Sequence, residues 1–448
     1  MRLLGIVATS IALLCAAAAA PAAPIAAELP PGLQVPAAAQ PGPGFDPDKA
    51  TAAYLAMLTP EQRARSDAYF EGGYWLQLWD WLYALGVAAV LLLGGISRRM
   101  RDFAMRVSPR PWLYTLVYAA LWIVAGFVLT LPFTIYAGFF REHAYGLSEQ
   151  PFAGWFGDRL KGLGVALVLG SLALTAIYAA VRRAGARWWI GATALVFAFS
   201  LFVSMIAPVF IAPLFNRYQP LPEGPVRSAV LSLARANGIP TDHVEWFDAS
   251  KQTTRISANV SGLWGTTRLS LNDNLLERTS LPEIKAVLGH EMGHYVLDHA
   301  LQLTIYFTIV FGLAFWLLHH AFDRALARWG ARLALRDRAD PAALPLAAAI
   351  LGTIFFVATP LLNGIVRQAE NQADAYGLNA AREPYGFATV SMRLATYRKI
   401  VPGPLEELLF FDHPSGYERV HRAMVWLKEN MSAAYAEQAA QALEGAKR

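Results

Sequence analysis

Ser280-Leu281-Pro282-Glu283-Ile284-Lys285-Ala286-Val287-Leu288-Gly289-His290-Glu291-Met292-Gly293-His294, set between two long apolar runs, is the stretch on which the reading of this chain turns. Ser280 and Glu283 form a capping box with a proline in the first turn, and Ile284, Val287 and Leu288 follow at the spacing of a buried helical stripe. The segment is therefore predicted to be helical, with His290 and His294 about two turns in. Four residues rise about 6 Å and return nearly to the same face, so both imidazoles can hold one zinc ion. Glu291 stands beside them, placed to act as a base.

Working outward, the composition sets the class. Of 448 residues, 55% are hydrophobic and only 16% charged, and the mean hydropathy is positive, which places the chain among integral membrane proteins. Apolar runs of spanning length lie near 76–96, 112–138, 162–181, 188–213, 300–318 and 343–365. Residues 1–27 read either as an export signal or as a first transmembrane helix, which would make a seventh span. The single cysteine, Cys15, lies in this stretch, so no disulfide is expected, and Leu13-Leu14 before it does not fit a lipoprotein signal. Residues 28–75 are expected to be extramembrane, with a Pro- and Ala-rich linker from Pro21 to Asp48. Residues 76–213 hold four spans, 214–299 form a soluble insertion, 300–365 hold two further spans, and 366–448 form a C-terminal region ending in a helix from about Ala433. Within the insertion, a helix is expected around Val226–Asn237, and strands at Val244–Phe247 and Thr266–Leu271. The expected fold is thus mainly α: a polytopic membrane protein with six or seven transmembrane helices and a zincin-like soluble insertion carrying a small β-sheet.

The net charge of +5 comes mostly from arginines in short loops, with no basic stripe interleaved with aromatics, so nucleic acid is not an expected partner. Arg98, Arg99, Arg101, Arg106 and Arg110 fall in one loop, Arg182, Arg183 and Arg187 in another, and Arg324, Arg328, Arg332, Arg336 and Arg338 in a third. Counting spans puts all three on one side. The positive-inside rule makes that side cytoplasmic and turns the insertion, the C-terminal region and the His290–His294 motif outward. No oligomeric state is read from the sequence.

A catalytic zinc takes three protein ligands and keeps a fourth position open, so a further ligand is needed. Glu370 and Asp374, just past the last apolar run, share a helical face; one carboxylate can bind metal while the other receives a ring N–H from a ligating histidine. His413, directly before Pro414, is disfavoured mid-helix and is expected to project from a loop or helix start, where it would suit stabilisation of an oxyanion. His299 falls about 140° round the helix from His294 and is read as packing. His319 and His320 read as interfacial, and His143, His243 and His421 have no evident partner.

Taken in order among spans, His290-Glu291-x-x-His294, Glu370-x-x-x-Asp374 and His413-Pro414 followed by Glu418-Arg419 resemble the M48 zinc metalloproteases. Pro213-Leu214-Phe215-Asn216-Arg217 with Pro220-Leu221-Pro222, and Gly262-Leu263 through Asp273, are similar to the Ste24 or CAAX prenyl protease 1 branch, over about residues 60–425. That branch has seven spans around a large intramembrane chamber. The resemblance implies one zinc per chain held by His290, His294 and Glu370, with Glu291 as general base and His413 contacting the oxyanion or substrate. Asp374 and Arg419 would support these groups. It also implies that an extended segment, here Ser257, Ala258, Asn259, Val260, Ser261, Gly262 and Leu263, pairs with substrate as an added strand. Ser257-Ala258-Asn259 departs from the Asn-Ala-aromatic usual there, so backbone pairing is expected to survive while side-chain specificity changes.

The function expected is a zinc-dependent membrane endopeptidase acting on membrane-associated or exported polypeptides in a bacterial inner membrane, with its catalytic face periplasmic. CAAX-type processing of prenylated proteins is the alternative implied by the resemblance. Two rivals from other classes are a membrane scaffold or chaperone with a structural metal, and a metal transporter. Neither has a use for a carboxylate base at Glu291.

Overall fold

The computed structural model describes residues 32–42, 44–262 and 267–431. The signal or first-span reading of 1–27, the strand start at Thr266, Leu263 and the terminal helix from Ala433 all lie outside these.

Five helical segments are long and apolar enough to cross a bilayer: Pro60–Leu93, Pro111–Ala144, Phe152–Phe215, His299–Leu333 and Pro341–Ala381. Five of the six apolar runs fall within them and the first runs three residues past Leu93; the third segment holds two runs because it is bent. Gly185, at φ 53°, takes the left-handed turn that lets Phe152–Ala184 end and Trp188–Ile206 begin. A Cβ on Gly191 would lie 3.4 Å from Ala180 Cβ, an approach that an unbroken helix could not make, so the two arms fold back on each other. Leu93, Val128, Val168, Ile309 and Val357 stand exposed, an apolar surface suited to lipid rather than water.

The arginine loops converge at one end of this bundle. Arg101 Nη1 lies 2.7 Å from Asp340 Oδ2 with both side chains buried, which ties the first loop to the third, and Arg182 donates to Thr115 Oγ1, which ties the second loop to the start of the Pro111 helix. Arg101, counted above with the free loop charges, is thus a structural ion pair.

Two helices run on beyond the apolar stretches that announce them. The first span begins at Pro60, capped by Thr59 and Gln62, whose side chains each bond the other's backbone N–H. The last does not stop near 365; Leu344–Ala381, here called α2, continues past the apolar run and carries Glu370 and Asp374 on the same rigid rod. Since Leu344 is at the arginine end, Glu370 sits about 40 Å along that rod from it.

The insertion forms a four-stranded sheet: β1 Tyr218–Pro220, β2 Val244–Phe247, β3 Ala258–Ser261 and β4 Arg268–Asn272, in the order β1-β2-β4-β3. β2 and β4 are parallel; the outer pairs are antiparallel, with Ala258 opposite Leu271 and Ser261 opposite Arg268. β1 was not expected as a strand, and its Pro220 is tolerated because the strand lies at a sheet edge. Leu269, Leu271 and Val244 pack under Ile284, Leu288 and Met292 of Leu281–Val296, here called α1. Apolar residues thus mount the metal-motif helix on the sheet.

Part of the stretch expected as a linker is packed instead. Ala39, Ala50 and Tyr54 are fully buried against Tyr385, Phe387, Met392 and Met424, so from Leu33 onward this chain segment closes a core with the C-terminal helices. Low local hydrophobicity hid this, since alanine buries little on its own and needs its partners to be read. Below it, Glu283 accepts from the Ser280 N–H at 2.8 Å, the bond a capping box requires of it, and also from the Ser280 hydroxyl at 2.7 Å and the buried Arg393 guanidinium. Arg393→Met is expected to destabilise the extramembrane region by about 3 kcal/mol, because it breaks a buried ion pair by removing one partner. Thermal unfolding in detergent checks this, and an unchanged midpoint would show the pair to be dispensable.

Candidate metal centre

α1 and α2 cross with their backbones nearly touching. Gly289 and Gly293 on α1 face Ala373, Gly377 and Ala381 on α2: a Cβ on Gly377 would lie 2.7 Å from the His290 backbone nitrogen, and one on Gly293 would lie 3.0 Å from Ala373 Cα. Small residues four apart on both helices permit this approach. Its consequence is to bring the histidines of one helix against the carboxylates of the other.

His290 Nε2 is 3.3 Å from Glu370 Oε2, His294 Nε2 is 3.4 Å from Glu370 Oε1, and the two Nε2 atoms are 3.1 Å apart. In a tetrahedral zinc site with ligand bonds of about 2.0–2.1 Å, neighbouring ligand atoms stand roughly 3.3–3.4 Å apart. The donor set and spacing therefore fit one such ion, and His290, His294 and Glu370 are the residues that could hold it. Among the described residues no other group of three histidine, cysteine or acidic side chains is so arranged.

Around this trio the other expected residues assemble. Asp374, fully buried, places Oδ1 2.8 Å from His290 Nδ1, the side of the ring turned away from the candidate ligands. Arg419 bridges the two acids, with Nη2 3.0 Å from Glu370 Oε2 and Nε 3.0 Å from Asp374 Oδ2; Arg422 adds a third contact, 3.2 Å from the same Asp374 oxygen. Burial would lower the pKa of His290, but its contacts with Asp374 and Glu370 outweigh that and raise it to about 9. Such a ring takes up a proton when no cation competes for it. Glu291 is also enclosed, and burial pushes its carboxyl above the ordinary value.

His413 stands where the sequence suggested, at the entrance to a helix. Ser415 caps Gly416–Asn430, accepting from the Glu418 N–H at 3.2 Å, so His413-Pro414 forms the turn before it and Arg419 falls in its first turn. His413 Nε2 is 3.3 Å from Glu370 Oε2, and Nδ1 is 2.7 Å from Asp412 Oδ1. Burial alone would raise the Asp412 carboxyl; His413 and Arg398 overcome this and hold it low. Asp412 received no role from the sequence, although its place beside His413 was the available signal.

The segment expected to receive substrate is partly a strand. Ala258–Ser261 form β3, at the sheet edge with one side paired to β4; Ser257 precedes it, accepting from the Asn272 N–H at 2.9 Å, and Gly262, at φ 108°, ends it. Arg255, two residues before Ser257, lines a cavity of about 810 Å³ that extends between the helices Pro111–Ile135 and Phe152–Ala184. Three other histidines are engaged away from the trio: His143 meets the carbonyls of Phe139 and Gln150, His319 meets Trp188, and His421 meets Asp48.

With that geometry in place, comparison with known proteins is informative. Residues 48–217 match the model of the CAAX prenyl protease N-terminal region, described as five membrane helices, and residues 220–426 match that of peptidase family M48. The chain is 30% identical over 336 residues to the "Uncharacterized metalloprotease YhfN" of Bacillus subtilis (strain 168), covering 75% of this chain and 79% of that one. It is 32% identical over 171 residues to "CAAX prenyl protease 1" of Saccharomyces cerevisiae (strain ATCC 204508 / S288c), 38% of this chain and 37% of that protein. The crystal structure of S. mikatae Ste24p superposes with a TM-score of 0.68 at 23% identity, over 82% of this chain and 89% of that one, a likeness of fold. Two family models that together span nearly all the described chain leave one assignment: the protein belongs to peptidase family M48 and is a multi-pass membrane metallopeptidase.

Proposed function

We propose that the protein is a zinc-dependent endopeptidase that hydrolyses peptide bonds of membrane-associated or exported polypeptides, with one zinc per chain held by His290, His294 and Glu370. The observation that carries this reading is the spacing of 3.1–3.4 Å among the three donors, with the half-buried carboxylate of Glu291 next in the chain to His290. Zinc, when bound, supplies Lewis-acid polarisation of a carbonyl and lowers the pKa of water. Glu291 would take a proton from the attacking water and return it to the leaving amine. Asp374 and Arg419 fix the His290 ring and the Glu370 carboxylate. Asp412 holds the His413 ring through Nδ1, so that Nε2 faces the site where the oxyanion develops. The free edge of β3, Ala258–Ser261, orders the substrate backbone beside the site by strand addition.

The site lies at the end of the bundle away from the arginine loops, which supports a periplasmic catalytic face in a bacterial inner membrane. A reporter fused after Arg448 that reads as cytoplasmic would sink that placement. Cleavage near prenylated C-termini is the second reading, favoured by the similarity to proteins named CAAX prenyl protease 1. The deciding experiment uses the full chain in detergent or nanodiscs, with metal content measured and matched peptides supplied with and without a prenyl group. Chelation is expected to abolish cleavage and stoichiometric zinc to restore it. Zinc-loaded protein that cleaves neither peptide defeats the endopeptidase reading, and cleavage confined to the prenylated peptide selects the second.

A further inference from the structure

The structure assigns to His299 a part the sequence hid: it is the positioning residue for His294, through a three-member chain His294–His299–Gln372. The inference rests on the zinc reading above and deepens it. His294 Nδ1 lies 2.9 Å from His299 Nδ1, and His299 Nε2 lies 2.9 Å from Gln372 Oε1. His299 is 1% exposed, and its ring meets that of His294 nearly edge-on, with centroids 5.0 Å apart and planes at 70°.

Continuing a single helix, His299 would point away from His294, which is the reason it reads as packing in the sequence. α1 ends at Val296, however, and Asp298 takes the left-handed conformation at φ 54° before the next helix starts at His299. The break turns that side chain back toward the site. Such a conformation is uncommon for a residue other than glycine and costs free energy, so the surrounding structure must hold it.

The protons along the chain can then be placed in only one way. His294 offers Nε2 toward Glu370 and His290, so in a neutral ligand ring the proton is on Nδ1, which donates to His299 Nδ1. His299 then carries its proton on Nε2, and that atom faces the acceptor oxygen of Gln372. Each group has the partner it needs. Gln372 lies on α2 between Glu370 and Asp374, so this one helix supplies a candidate ligand, the direct partner of His290 and the indirect partner of His294. Asp374 does not serve both histidines.

The test measures zinc affinity of the intact protein by competition with a chromophoric chelator, alongside the melting temperature of the metal-free form. His299→Phe keeps a buried ring but no acceptor, and is expected to weaken zinc binding about 10–100-fold, the range typical for loss of an outer partner of a ligating histidine. His299→Gln, whose side-chain oxygen can accept the same bond, is expected to recover most of that loss. Gln372→Leu leaves His299 in place without its acceptor and is expected to weaken binding several-fold. A role in packing alone would lower the metal-free melting temperature without separating the phenylalanine and glutamine variants in affinity. Wild-type affinity in His299→Phe overturns the proposal; should that variant not fold, wild-type affinity in Gln372→Leu does so. A wild-type protein that binds no zinc overturns the underlying zinc reading instead.

Discussion

Glu291→Gln is expected to lower peptide hydrolysis by about 10²–10⁴-fold while leaving the metal bound. Glutamine matches glutamate in shape and in helix propensity, so α1 has no reason to shift. His290, His294 and Glu370 are untouched, and a neutral amide is cheaper to bury than the carboxylate it replaces. What goes is the capacity to take a proton from water and hand it to the departing amine. The enclosed setting of Glu291, which lifts its carboxyl above the ordinary value, makes it a better base near neutral pH than an exposed glutamate would be. The check is turnover per mole of bound metal, with both measured on the same preparation. Full activity in a metal-replete Glu291→Gln protein would remove the base from the mechanism and revive the scaffold reading.

Gly377→Ala is expected to weaken metal binding at least about a hundredfold, although residue 377 is itself no ligand. The added methyl would stand 2.7 Å from the His290 backbone nitrogen and 2.9 Å from its Cα. Neither atom can move without the helix that carries it, so α1 and α2 must separate by on the order of an ångström. Metal and catalytic constellations tolerate about 0.5 Å. Since Glu370 and Asp374 ride on one helix and His290 and His294 on the other, separation parts candidate ligand from candidate ligand. Overpacking of this kind also costs about 1–3 kcal/mol of stability. Zinc affinity and melting temperature should therefore fall together. A variant that binds zinc as wild type does would show that the helix crossing is slack.

Much of this was legible in the chain. The apolar runs announced the spans because a bilayer demands an uninterrupted stretch whatever its neighbours. The capping box and apolar stripe announced α1, since both are contacts within a few residues. Glu370, Asp374 and His413 were found as chemistry and placed by resemblance, and the structure brings them together. The misses share a cause. His299 reads as turned away from His294 because the pattern continues a helix through Asp298, where the backbone in fact reverses. The stretch around Ala39 reads as a linker because its partners Tyr385, Phe387, Met392 and Met424 lie more than three hundred residues away. Gly289-x-x-x-Gly293, embedded in the metal motif itself, was a signal of close helix approach that went unused beside the histidines.

By itself, then, the sequence determined the membrane class, the long helices, the motif helix and the set of polar residues able to bind metal, because each depends on local pattern or on residue chemistry. Tertiary structure alone decided that α1 and α2 meet backbone to backbone, which histidine each neighbouring residue contacts, and that β3 lies at the sheet edge among the described residues. The helix crossing rests on contacts between segments about eighty residues apart, the strand order on pairings up to 29 residues apart, and the turn of His299 on a single backbone reversal. A linear pattern carries none of these, since the free energy that selects them comes from fitting surfaces that exist only once the helices are formed.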